Sequence, residues 1–507
     1  MTRIEPGHRS EIHETGAPII SRLAKNNEER GATLAVVGFS LLMFGCSVGP
    51  NYQKPDLGAP TNWLEGQQTG IKSEPAELAR WWTAFNDPLL NSLVERAVQS
   101  NLDLRIAEGR IREARAVRAS TAAGEWPTVD ISGSYMRNRL SKNALSLPFS
   151  GGGGISGFPG IDLDQNLYKS GFDASWEIDV FGGTRRSIEA ADANIEASME
   201  SRRDTLVTLL GDVAKNYIDL RGLQRRLAVA QANLNAQLET LDLTKIRFQA
   251  GLASDLDIAQ AEAQVNSIAA QIPALESLLK QAAYRLDLLL GSRPGSLWEE
   301  LSNEKAIPVP PPEVLVGLPS ELLRRRPDIR RAERQLAAAT AEIGAATADL
   351  FPKFSLTGTV GLQSLSASDW FTGRSRFWSI GPTISWPIFD AGKIRANIEV
   401  RNAQQEQALS LYEKTVLNAF QEVESSLLNY AKEQLRYRSL VDAVAANRRA
   451  VELANELYFS GLNDFLNVLD AQRSLYASES DLAQSEATIA SNLVALYKAL
   501  GGGWDTK

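Results

Sequence analysis

The residues able to do covalent or metal chemistry in this 507-residue chain are few and crowded at one end. Its single cysteine is Cys46, and its 2 histidines, His8 and His13, both precede it. One thiol cannot build a disulfide framework or a cysteine-based zinc site. Gly31 to Phe44 is an uncharged run, too short to cross a bilayer but of the length of a signal-peptide core. Cleavage after it removes both imidazoles, and with them Ser-His-Asp triads, His-ligated metals and histidine general bases. Beyond the leader, the helical seams offer no pocket where Asp and Glu converge for carboxylate catalysis. The net charge of -8 is mild and lacks the concentrated basic surface of a nucleic-acid binder. We expect no enzyme, no cofactor, no metal site and no nucleic-acid partner.

Gly45-Cys46-Ser47, at the end of the apolar run, resembles the lipobox of bacterial lipoproteins. The resemblance implies that residues 1–45 are a lipoprotein signal peptide. It also implies that Cys46 carries a covalent lipid (diacylglyceryl and N-acyl), with Ser47 matching the outer-membrane sorting pattern. The competing assignment is an ordinary buried thiol. A single lipid chain holds weakly, so lasting membrane residence must come from elsewhere.

The elements that supply it are written twice. Trp176 to Gly182 matches Trp386 to Gly392 at an offset of 210, and the same offset carries Gly251 to Gly461, Leu256 to Leu466 and Gly291 to Gly501. Upstream the offset is 225, where Asp103 meets Asp328 and Trp126-Pro127 meets Phe351-Pro352. The difference of 15 puts an insertion between Trp126 and Trp176, where Gly151 to Gly154 stand. Each copy predicts a helix (Leu89 to Ala123 in the first), two alternating strands, then two long helices. The strands are expected at 128–138, 168–181, 353–363 and 377–388. Val129, Ile131 and Tyr135 oppose Asp130, Ser132 and Ser134; Trp378, Ile380 and Ile384 oppose Ser379, Thr383 and Ser385. Apolar on one face and polar on the other, with aromatics among the apolar positions, these strands fit a transmembrane barrel with a wet lumen. A soluble sandwich shares the alternation but would need a second sheet.

The long helices are expected at 183–249 and 254–290, and at 393–459 and 464–500. The first of these spans roughly 100 Å at 1.5 Å per residue. Gly251 and Gly461 mark reversals, so each pair folds as an antiparallel, Ala-rich hairpin. The remaining spans are an N-terminal segment 46–88, a Pro-rich linker 292–313 between repeats 89–291 and 314–501, and a tail 502–507. Four strands leave open edges, which lipid does not tolerate. Eight-stranded barrels are filled by side chains, so a Ser/Thr/Asp lumen favours twelve strands or more, from several copies of the chain.

The chain resembles the TolC-type outer-membrane efflux proteins, specifically the lipoprotein branch similar to OprM and NodT. The markers are Cys46 to Tyr52, Trp81 to Pro88, Leu322 to Ile329, and the tips Arg247 to Gly251 and Tyr458 to Gly461. The resemblance implies a mainly α fold with a β-barrel contribution, assembled as a homotrimer with a 12-stranded barrel and a 12-helix tunnel. It implies a passive duct from periplasm to exterior, anchored in outer-membrane lipid. A periplasmic adaptor docks at the tips, and a proton-driven inner-membrane pump supplies the substrate. Asp470 matches a position forming an acidic ring at the periplasmic entrance, while Asn467 stands where the family has a second acid. Asp257 and Tyr458 match a hydrogen-bonded pair linking the two hairpins. Gly251, Leu252, Gly461 and Leu462 mark the tips where the adaptor docks. Against these stand plainer roles: Asp470 as a solvated helix charge, Tyr458 as seam packing, and the two leucines folded back on their own hairpins. The alternative function is a trimeric coiled-coil structural or adhesive protein with a small barrel anchor; it needs helices running one way, where the paired glycines favour hairpins.

Overall fold

The computed structural model describes residues 47–66, 71–72, 74, 78–139, 141, 164–311 and 313–504. Cys46, the signal segment, the Gly151 to Gly154 stretch and residues 505–507 lie outside them. The chain divides into a strand unit, made of the residues up to Asn51, Ser120–Glu189 and Ala341–Arg401, and a helical unit, made of Tyr52–Ala119, Ala190–Thr340 and Asn402–Lys507.

The strand unit is one antiparallel sheet. A two-residue strand β1 (Ile71–Lys72) comes earlier in the chain; the sheet itself begins with β2 (Thr128–Arg139) and β3 (Asp164–Ile178). After β4 (Val314–Leu315), which pairs with β1 in parallel, come β5 (Lys353–Ser364) and β6 (Arg376–Ser385). The order in the sheet is β2-β3-β5-β6, each neighbour antiparallel. Its register obeys the sequence offsets. Thr128 pairs with Ser175; moved by 225 and 210 residues respectively, these become Lys353 and Ser385, the pair observed. Two side-chain bonds repeat in the same way. Trp176 Nε1 donates to the Glu125 carbonyl at 2.9 Å, and Trp386 Nε1 to the Leu350 carbonyl at 3.0 Å.

The face expected to meet lipid is bare in a single chain: Ile131 is 78% exposed and Trp378 76%. On the opposite face Ser132 donates to Asp173 at 2.6 Å, and the Thr359 and Ser379 hydroxyls lie 3.0 Å apart. Aromatic rings gather at both strand ends, Tyr135 against Tyr168 (4.9 Å) and Phe181 against Phe351 (4.6 Å). Polar inside, apolar outside, with aromatics at the rims, is the pattern of a membrane barrel wall. Strands β3 and β6 shift from the expected bounds, β3 starting at Asp164 and β6 ending at Ser385, short of Pro387.

Nine helices and shorter turns, a four-residue one at Trp298–Leu301 among them, make up the rest of the described architecture. The expected helix from Leu89 to Ala123 is two, α1 (Pro88–Ser100) and α2 (Leu102–Ala122). Asn101 separates them. Its ψ of 133° is extended, and its side chain accepts from the backbone N–H groups of Asp103 and Leu104, a helix N-cap. Its amide also donates to the Leu289 carbonyl at 2.9 Å. The same break recurs 225 residues on at Arg326, whose guanidinium donates to the Ala499 carbonyl at 3.0 Å. The helices are α3 (Gly183–Gln249), α4 (Asp255–Ala269), α5 (Gln271–Leu289), α6 (Pro319–Arg325), α7 (Pro327–Ala348), α8 (Lys393–Phe459) and α9 (Phe465–Ala499). The expected helix 254–290 is thus interrupted once, at Ala270, whose backbone stays helical (φ -67°, ψ -21°). Pro273 explains the interruption: it has no N–H to give the Ala269 carbonyl.

A single large core holds the helical unit. Trp81, Trp82 and Phe85 from the Trp-rich N-terminal motif pack with Leu90, Tyr217, Ile218, Tyr430 and Leu493. Asp87 caps α1 and accepts a 2.6 Å bond from the Tyr217 hydroxyl. Replacing Asn101 by Ala removes a cap and a buried tether together. It should cost about 1–2 kcal/mol, the usual loss for a cap, and lower the thermal midpoint followed by far-ultraviolet dichroism. An unchanged midpoint would show that the break is set by packing alone.

Candidate functional site

The candidate site lies in the helical unit, where the hairpins turn. Both tips are built alike. Gly251 (φ 71°) donates to the Phe248 carbonyl and Leu252 to the Arg247 carbonyl, closing α3 with a six-to-one bond of 2.8 Å. Gly461 (φ 71°) and Leu462 repeat the pattern on Tyr458 and Leu457. This is the Schellman closure, and it requires a left-handed residue. No atom lies within 4 Å of where a Cβ would stand at either glycine, so the backbone angle alone demands it. Leu252 is 66% exposed and Leu462 75% in the single chain. Leu256 and Leu466, one turn further, are exposed as well. The sequence reading used this pair only to mark the repeat; their apolar character so close to a turn was the available signal.

Just above the tips the two hairpins meet in a small apolar cluster. Leu241, Ala261, Ala454, Tyr458, Phe465 and Val468 come from α3, α4, α8 and α9. Tyr458 sits in it, with its ring 5.6 Å from Phe465 and the Arg247 guanidinium 4.4 Å from the ring centre. The phenol hydroxyl is buried and has no hydrogen-bond partner of proper geometry among the described residues. Burial holds the phenol above the ordinary tyrosine range; Arg247 opposes this, Asp257 reinforces it, and Thr244 opposes it weakly. Thr244 gives its own proton to the Thr240 carbonyl at 2.8 Å.

Asp257 therefore lies within electrostatic reach of Tyr458, but no hydrogen bond joins them. Its carboxylate accepts the Ser254 N–H at 2.8 Å while the Ser254 hydroxyl accepts the Asp257 N–H at 3.2 Å. This capping box opens α4 and engages one carboxylate oxygen. Asp470 stands exposed on the second turn of α9, its nearest cation Arg473 at 4.0 Å. Asn467 turns its amide to Asn463 instead of facing a charge.

Polar contacts that the seam pattern concealed join the hairpins further up. Gln237 donates to Gln472, and Gln472 donates in turn to Thr240, each at 3.0 Å. Arg473 donates to Gln264 at 2.8 Å, and Tyr476 to Gln271 at 2.8 Å. Glutamines at positions where a coiled coil would place Leu were the sequence signal for this zipper. None of these groups forms a nucleophile–base pair, and no group of three or more metal-ligating side chains occurs among the described residues.

An amphipathic sheet with lipid-type faces, joined in sequence to paired helical hairpins, defines a subunit of a membrane duct. The sequence profile of outer membrane efflux proteins matches residues 93–292 and 318–502. Nodulation protein T of Rhizobium leguminosarum bv. trifolii is 34% identical over 472 residues, 92% of this chain and 96% of that protein. The solvent efflux pump outer membrane protein SrpC of Pseudomonas putida is 36% identical over 475 residues, 92% and 97% of the two. Among solved structures, the outer-membrane channel OprN superposes with a TM-score of 0.82 at 37% identity, covering 90% of this chain and 100% of that one. The open-state MtrE channel of Neisseria gonorrhoeae gives 0.75 at 30%, covering 91% and 100%. The chain belongs to the outer membrane efflux protein family. It is the outer-membrane channel of an efflux system in a Gram-negative cell, a trimer working with a periplasmic adaptor and an inner-membrane pump, and not an enzyme.

The Tyr458 environment makes a direct prediction. A buried hydroxyl without a partner costs roughly 1–3 kcal/mol, so Tyr458→Phe should leave the tip as stable as before or more so. Tyr458→Ala empties the cluster and should cost about 3–5 kcal/mol there. Amide hydrogen exchange in residues 240–270 and 450–475 separates the two; equal acceleration by both variants would show that the hydroxyl is bonded.

Proposed function

We propose that the tips are both the gate and the docking point of this duct, with Asp470, Asp257 and Tyr458 forming the gate and Gly251, Leu252, Gly461 and Leu462 receiving the adaptor. The carrying observation is the pair of glycine-closed turns, each presenting leucines that the described residues leave exposed at a reversal. Exposed apolar side chains at a tip favour a partner that buries them. Tyr458 and Arg247 hold the two hairpins together a turn or two above, so docking and opening act on adjoining residues.

Asp470 is exposed and can face its symmetry copies; among the described residues its one ion-pair partner is Arg473, 4.0 Å away on its own helix. Three carboxylates around one axis raise one another's protonation and attract cations. The duct does no chemistry on its cargo, and the choice of cargo belongs to the pump. In support, relatives of similar length are named for solvent or toluene efflux on the one hand and for pyoverdine export on the other. In planar bilayers Asp470→Ala, alone or with Asp257→Ala, should raise single-channel conductance and weaken block by divalent cations. Unchanged conductance and unchanged block would remove these residues from the gate.

The lipid on Cys46 belongs to the same proposal. The residues after it are pinned tightly to the strand-to-helix turn that follows β3. Val48 donates to the Phe181 carbonyl at 3.2 Å, and Arg186 donates to the Val48 carbonyl (3.1 Å) and to Asn51 (2.7 Å). Any side chain at Gly182 would collide with Ser47, at 2.8 Å. This tether brings position 47 to the helix-side end of the sheet, where an acyl chain can enter the inner leaflet. Cys46→Ser should abolish incorporation of labelled palmitate while the protein still trimerises, since the sheet supplies its own membrane affinity. Persistent labelling would refute the assignment.

A further inference from the structure

We infer the residue register with which β6 joins β2 of a second copy of this chain to close the barrel wall. The inference rests on the trimeric-duct reading above. Both outer strands of the sheet lack a partner on one side, and backbone groups in lipid must be paired. What partner they take is settled by the family; how they align is written in the chain's own repeat.

The contact between β3 and β5 is the place where the first repeat hands over to the second. Around a ring of three chains, β6 meets the next β2 in the same relation. The offsets are reliable at single-residue level. They carry the β2–β3 register onto β5–β6, the Trp176 bond onto the Trp386 bond, and the Asn101 tether onto the Arg326 tether. In the handover pair Trp176 lies opposite Leu356 and Phe172 opposite Val360. Moving the β3 member forward by 210 and the β5 member back by 225 gives the seam. Trp386 then lies beside Ile131 of the partner subunit, Ser385 beside Ser132 of the partner subunit, and Ile384 beside Gly133 of the partner subunit.

Two features support this alignment. It sets lipid-facing residues beside lipid-facing ones and lumen hydroxyls beside lumen hydroxyls, whereas a slip of one residue inverts every side chain on one strand. Gly381 supplies the second. Its repeat counterpart Gly171 is crowded by β5, with the Val360 carbonyl 2.5 Å from an added Cβ. Gly381 has nothing within 4 Å in the single chain. The empty side of Gly381 is where the handover geometry requires the partner strand.

Parity does not exclude a slip of two, so the test compares in-register with displaced pairs. Full-length protein is made with Ser132→Cys plus Ser385→Cys, and separately with Gly133→Cys plus Ile384→Cys. One pair lies on each face, because facing residues in an antiparallel ladder alternate between about 4.5 and 5.5 Å and one face is always the closer. The displaced controls are Ser134→Cys plus Ser385→Cys, and Tyr135→Cys plus Ile384→Cys. After mild oxidation, at least one in-register pair should give covalent dimers and trimers on non-reducing gels at about tenfold or more the yield of either control, given the narrow Cα range of a disulfide. Higher yield from a displaced pair overturns the register, as does absence of every cross-link in variants that still sediment as trimers. A wild-type chain that sediments as a monomer would instead bring down the duct reading itself.

Discussion

Every unpaired backbone N–H and C=O in a bilayer costs several kcal/mol, and that single constraint organises this molecule. A chain with four described sheet strands has two open edges, so it cannot reside in lipid alone. Closure by identical copies demands that the last strand of one chain fit the first strand of the next as its own internal strands fit each other. The duplicated sequence meets that demand. The β2–β3 register recurs in β5–β6, and the inserted segment of the first copy falls in the β2–β3 connection.

The helical unit distributes its stability unevenly, and the distribution follows function. Around Trp81, Leu90, Tyr217 and Tyr430 a large core buries aromatic and aliphatic side chains almost completely. Towards the tips that density gives way to a six-residue cluster and a ladder of glutamine and arginine hydrogen bonds. Such hydrogen bonds contribute about 0.5–1.5 kcal/mol each, less than the roughly 1.5–3 kcal/mol of a fully buried large apolar side chain. Local opening is drawn from such low-stability regions. A tunnel that must stay round in its middle and change width at its end is well served by this gradient.

Much of this was legible in the sequence because periodicity and repetition are local properties. The alternation from Val129 to Tyr135, the proline-free run after Gly183 and the glycines at 251 and 461 report directly on backbone geometry. The tethers of Asn101 and Arg326 were not legible, since a polar residue within a helical pattern reads as surface until its partner carbonyl is known; the helix start after Arg326 is marked by Pro327. Leu289 and Ala499, which supply those carbonyls, are more than 170 positions away in the chain. The Asp257–Tyr458 bond implied by resemblance is absent for a local reason, the competing N-cap of Ser254. The Arg247–Tyr458 stack that occupies its place links residues 211 positions apart, a contact no spacing rule announces.

The repeat governs backbone and charge differently. Asp257 corresponds to Asn467, Gln260 to Asp470, Phe248 to Tyr458 and Asn101 to Arg326, each across equivalent backbone positions. A trimer thus has near sixfold geometry in its chain trace but only threefold periodicity in its ionised groups. An ion approaching along the axis meets its acids at staggered positions, Asp257 on one hairpin and Asp470 on the next, and a ring of six adaptor contacts would find two chemically distinct kinds of tip in strict alternation.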